Sequence, residues 1–129
     1  MSFNVLIVDD SQTMRKVIRK TLSLSGFEVG ECWEAGNGKE ALDMLRRCWV
    51  DLILTDLNMP EMNGLEMLRE LGKDEMYRKI PVVLITTEGS EARIGEAYSL
   101  GIKGYIQKPF YPETVRDVLS RVMEEAHEG

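Results

Sequence analysis

Two short stretches, LILT at 52–55 and VVLIT at 82–86, are apolar almost without interruption. A strand with one wet face alternates apolar and polar residues. A strand that is hydrocarbon throughout must be covered on both faces, as in a parallel sheet sandwiched between helices. Three more runs read as strands, at 4–8, 28–34 and 104–106. Between the runs, apolar residues recur three and four apart, the period of a helix face. They are Met14, Val17, Ile18 and Leu22; Ala41, Leu42 and Leu45; Leu65, Leu68 and Leu71; Ile94, Ala97 and Tyr98; and Val115, Val118, Leu119 and Val122. Gly26, Gly72 and Gly101 stand where helices should stop. Five strands alternating with five helices predict an α/β fold: a doubly wound, five-stranded parallel sheet with right-handed crossovers and helices on both faces.

A length of 129 residues suits one domain, with a core over roughly 3–123 and a tail at 124–129. The longest apolar runs, of about five residues, are too short to span a membrane, and MSFNV lacks the regions of a signal peptide. The expected location is the cytoplasm. Cys32 and Cys48 have no metal-ligand spacing and are expected to be reduced thiols. A net charge of −6 argues against a grip on nucleic acid backbone.

In open parallel sheets, ligands bind outside the carboxyl ends of the strands. Asp9 and Asp10 end the first strand, Asp56 the third and Thr86 the fourth, and Lys108 follows the fifth. The topology therefore predicts three acids, a hydroxyl and an amine on one edge. Three carboxylates that close cannot all carry charge cheaply, and a hard divalent cation with oxygen ligands removes the conflict. Lys108 and Thr86 are groups that hold a phosphoryl oxygen. Asp56, between the acid pair and the Lys/Thr pair, is the candidate nucleophile for an acyl phosphate. Each piece has a plainer explanation on its own: Asp10 or Ser11 can cap the following helix, and Asp56 can be a turn acid ahead of Pro60. Their convergence on one edge favours a site.

The motifs VDDSQTMR, TDLNMPEMNGLE, PVVLITTE and GYIQKPF together resemble the receiver domain of two-component response regulators, of the stand-alone chemotaxis (CheY-like) type, over nearly the whole chain. The resemblance implies the flavodoxin-like strand order 2-1-3-4-5 and phosphorylation of Asp56 by a separate histidine kinase or phosphotransfer domain. It implies that Asp10, Asp56 and the backbone carbonyl of Asn58 bind Mg²⁺ (or Mn²⁺), with Asp9 acting through water. Thr86 and Lys108 would contact the phosphoryl group, and Tyr105 would turn inward when Thr86 moves. The Lys108–Pro109 peptide would be cis. Asn58 and Glu88 occupy positions that tune phosphoryl lifetime. Thr87 stands where relatives carry Ala, Gly or Ser, so its bulk is expected to narrow the approach to Asp56. The output would be a changed face of the fourth helix, fifth strand and fifth helix, controlling a protein partner such as a flagellar motor switch. A phosphorelay intermediate or a phosphate sink is the alternative, and the chain is expected to be a monomer that catalyses only its own phosphorylation and dephosphorylation.

Other features read more plainly. Arg15, Lys16, Arg19 and Lys20 form a solvated face or dock an acidic phosphodonor domain. Trp33 and Trp49 cover the core edge, and the eight methionines fill the core. His127, in the tail EEAHEG, is the only histidine and is expected to fray. An aspartyl-phosphate phosphatase would need DxDx[TV] after its first strand, whereas here the nucleophile ends the third strand and Asn58 replaces the second acid. A flavin or nucleotide binder would need a Gly- or hydroxyl-rich anion loop after strand one, where this chain has DDSQT.

Overall fold

The structure, a computed structural model, describes residues 2–128. The elements follow in strict alternation: β1 (Phe3–Val8), α1 (Gln12–Ser25), β2 (Val29–Ala35), α2 (Gly38–Arg47), β3 (Leu52–Thr55), α3 (Gly64–Gly72), β4 (Val82–Thr86), α4 (Glu91–Ser99), β5 (Gly104–Gln107) and α5 (Pro112–Glu128). All strand pairs are parallel, in the order β2-β1-β3-β4-β5.

The period of two explains why the central strands are apolar throughout. Leu6, Val8, Ile53 and Leu84 point to one side, where they pack with Leu45 of α2, Met67 and Leu68 of α3, and Ala97 of α4. Val5, Ile7, Leu52, Leu54, Val83 and Ile85 point to the other, against Ile18 and Leu22 of α1 and Val115, Leu119 and Val122 of α5. Slipping any central strand by one residue would only exchange hydrocarbon for hydrocarbon, so the loops and helix caps share in setting the register. The carboxyl ends line up: Val8 is level with both Ala35 and Thr55, and Thr86 is level with Gln107. The ladder continues past the strands, because Asp56 N–H donates to the Val8 carbonyl (2.9 Å) and Lys108 N–H to that of Thr86 (2.9 Å). Backbone hydrogen bonding thus delivers the polar residues to one edge.

Several details differ from the expectations. Gly26 and Gly101 have the left-handed φ of helix stops (84° and 107°), but Gly72 is the last residue of α3 and the right-handed Lys73 caps it. Helix α5 continues to Glu128 through the segment expected to be a tail. His127 does not project alone; its ring stacks on Phe3, which in turn stacks on Phe27. Trp33 packs on the core as expected, but Trp49 is 77% exposed and Met76 is also exposed, so neither fills the interior. No described helix is long and apolar enough to cross a membrane.

Candidate functional site

Asp9 follows β1 and is buried; its N–H donates to the Ala35 carbonyl and its Oδ1 accepts from Ser11 N–H (2.9 Å). The Asp9 carbonyl accepts from Arg15 Nη1 at 2.6 Å. Ser11, not Asp10, caps α1 by accepting from Met14 N–H, which leaves the Asp10 carboxylate exposed at the mouth of the site. Asp56, half-buried at the end of β3, accepts from Leu57 N–H through Oδ1 (2.6 Å). Its Oδ2 is 3.3 Å from Lys108 Nζ, which also lies 3.1 Å from Asp9 Oδ2. The Lys108–Pro109 peptide is cis. Asp9, Asp10 and Asp56 each offer a carboxylate oxygen, all within 4.8 Å of one another. That is a hard, all-oxygen donor set of the kind Mg²⁺ or Mn²⁺ takes, so the residues present fit a divalent cation. Without one, the Lys108 amine sits between two of the acids as their counter-charge.

Beside this cluster, the loop after β4 converges on Glu88. The buried Thr86 hydroxyl accepts from Glu88 N–H (3.1 Å), and Tyr105 Oη donates to the Glu88 carbonyl (2.7 Å). Partial burial of the Tyr105 phenol, and then the nearby Glu88 charge, push its pKa above the ordinary range, so it stays a neutral donor. The Glu88 carboxylate accepts from Ser90 N–H and from Arg93 Nη1 (3.0 Å). The same Arg93 nitrogen donates to Asn58 Oδ1 at 2.7 Å. Thr87 is exposed.

The residue set of this edge can be compared with known proteins. The model of the response regulator receiver domain matches residues 5–120. This chain belongs to the response-regulator receiver family. It is 41% identical to the chemotaxis protein CheY1 of Helicobacter pylori over 120 residues, covering 92% of this chain and 95% of that protein. It is 38% identical to the chemotaxis protein CheY-3 of Vibrio cholerae, covering 95% and 93%. The solved structure of the chemotaxis response regulator CheY4 of Vibrio cholerae superposes with a TM-score of 0.81 at 36% identity, covering 95% of this chain and 99% of that one. The CheY-like fold expected from the motifs is the fold found, and receiver domains are signalling proteins.

The structure also reveals contacts that the sequence reading did not anticipate. Of the four basic residues of α1, Arg15 and Arg19 both turn to Glu34 of β2 (2.9 Å each), and Arg19 also donates to the Cys32 carbonyl. Only Lys16 and Lys20 of the four are left exposed without that partner. Gly64 lies so close to the acid loop that a Cβ there would meet the Asp56 carbonyl oxygen at 2.7 Å. A legible signal for this turn existed in N-G-L-E: Asn63 and Glu66 form a reciprocal capping box that starts α3 against the loop after Asp56. Arg93 carried no such signal.

Proposed function

We propose that this receiver domain accepts a phosphoryl group on Asp56 in a Mg²⁺-dependent reaction and thereby controls a protein partner in chemotaxis-type signalling. The observation that carries the reading is the convergence of Asp9, Asp10, Asp56 and Lys108, with Asp56 Oδ2 turned to the amine and Oδ1 to a backbone N–H. The Asp56 carboxylate oxygen forms a bond to phosphorus as the bond from phosphorus to the donor imidazole of a histidine kinase or phosphotransfer domain breaks. The imidazole leaves with a proton from solvent. Asp10, Asp56 and the Asn58 carbonyl would hold the cation directly and Asp9 through water; when bound, the cation neutralises charge on the phosphoryl oxygens. Lys108 and Thr86 hold two of those oxygens, and movement of Thr86 toward them draws its hydroxyl away from Glu88 N–H. This couples the site to the loop and to Tyr105, and through them to the face of α4, β5 and α5. Asn58, Thr87 and Glu88 border the approach and set how fast donor and water arrive. The chain acts as one monomeric cytoplasmic module across 1–129, a switch whose only catalysis is on itself.

The test is mass spectrometry after incubation with Mg²⁺ and a small acyl phosphate. One phosphoryl adduct is expected on the parent and none on Asp56→Asn, because an amide is not the nucleophile. An equal adduct on both would overturn the assignment.

A further inference from the structure

We infer that Arg93 is a positioning residue that bars the approach to Asp56 by holding Asn58 and Glu88 together across it. The inference rests on the phosphoacceptor reading. Asn58 belongs to the loop after β3, which begins with Asp56, and Glu88 to the loop after β4, the strand that ends in Thr86. A single guanidinium nitrogen donates to both, at 2.7 Å to Asn58 Oδ1 and 3.0 Å to Glu88 Oε1. The Glu88 end is the firmer: Arg93 and Glu88 side chains are 35% and 20% exposed, and Glu88 is held besides by Thr86, Ser90 and Tyr105, whereas the Asn58 end lies at the exposed surface. Arg93 is aimed by its helix as well. Glu96, one turn further along the same side of α4, pairs with Arg69 of α3, so this face of α4 is turned toward the β3–α3 side of the molecule. Two neighbouring loops are therefore cross-linked by one side chain, and a donor or a hydrolysing water that approaches Asp56 from the side of these loops meets the link. The link also reports on the switch: when Thr86 lets go of Glu88 N–H, the backbone of the residue whose carboxylate Arg93 grips loses one of its supports.

Removing Arg93 alone would leave the Glu88 charge facing an anionic donor, so the decisive variant removes both charges. Glu88→Gln with Arg93→Gln should take up a phosphoryl group from a small acyl phosphate, and lose it by hydrolysis, about fivefold faster than the parent, equivalent to about 1 kcal/mol. Arg93→Gln at high salt should speed both steps in the parent but have no effect where Asn58→Ala and Glu88→Gln have already removed its partners. A control pair, Asp43→Asn with Arg47→Gln, removes an exposed ion pair within α2 that takes no part in the link and should leave both rates unchanged. The inference is overturned if the paired variant is no faster, if Arg93→Gln still acts without its partners, or if the control pair accelerates equally. Absence of any adduct on the parent would instead sink the phosphoacceptor reading.

Discussion

Lys108 allows the balance of charge in the site to be tested without any phosphoryl donor. Its side chain is 10% exposed and stands between Asp9 and Asp56, whose side chains are 2% and 14% exposed. Lys108→Ala leaves those carboxylates facing each other, with Asp10 close by. Breaking a buried pair by removing one partner costs about 3–5 kcal/mol. Asp10 is exposed and opens the cluster to water on one side, so the cost should fall near the lower end, about 3 kcal/mol. For a domain of this size, about 4 °C of Tm per kcal/mol gives a drop of about 12 °C in EDTA.

The response to Mg²⁺ should change in the opposite sense. In the parent, a cation and the Lys108 amine would compete for the carboxylates of Asp9 and Asp56; in Lys108→Ala the cation would have them to itself. Binding to the folded state alone stabilises by about 2.7 kcal/mol at a hundredfold excess over Kd. Because Kd falls in the variant, the Mg²⁺ increment in Tm should be larger than in the parent and should restore most of the loss. Calorimetry of both proteins, in EDTA and across a Mg²⁺ titration, measures all four quantities. Equal Tm values in EDTA would refute the counter-charge role of Lys108, and equal Mg²⁺ increments would refute competition for the same carboxylates.

Three further outcomes follow from single contacts. Gly64→Ala places a Cβ 2.7 Å from the Asp56 carbonyl oxygen. Overpacking against backbone should cost about 1–3 kcal/mol, and an unchanged urea midpoint would show that the loop yields freely. Burial tends to raise the pKa of Glu34, but hydrogen bonds from Arg15 and Arg19 outweigh it and hold the carboxyl below its usual range. Its stabilisation is therefore complete above the unfolded value of about 4.3 and is lost as pH falls through the lower folded value. Glu34→Gln should flatten the acid limb of urea midpoint against pH, and an identical limb would remove Glu34 from the balance. Thr86→Ala should still take a phosphoryl group at Asp56 but lose most of the gain in partner affinity, since Thr86 is the link between the site and Glu88; titration of a partner with a phosphoryl mimic checks this, and a full gain would exclude the route.

What the sequence revealed and what it hid divide along a physical line. The strands β3 and β4 were legible because burial on both faces leaves no choice of residue: Leu52 and Leu54 face α1 and α5 while Ile53 faces the other layer, and only a continuous apolar run satisfies both. The acid cluster was legible because parallel strands must end together, so Asp9, Asp10, Asp56 and Lys108 meet wherever the loops lead. The contacts of Arg15, Arg19 and Arg93 were not, because a long flexible side chain chooses among many acceptors and the choice depends on how its helix is rotated. Arg93 reaches Asn58 across 35 positions of sequence, and nothing in the local pattern around either residue distinguishes that partner from Glu91 or Glu96. The end of α5 was hidden for a related reason: EEAHEG has no apolar period, but α5 packs beside β1 closely enough for His127 to find Phe3.

The same division bears on where specificity can reside within such a fold. The acids and the amine are held by backbone register and cannot be re-aimed without breaking the sheet. Asn58, Glu88 and Arg93 hang from loops and a helix face, so exchanging them alters access while leaving the chemistry in place. Glu88 is the junction between the two sets, because its backbone is gripped by Thr86 and Tyr105 and its carboxylate by Arg93. A movement of Thr86 too small to disturb the sheet would still be felt at Tyr105 and at α4, since all three meet at one residue.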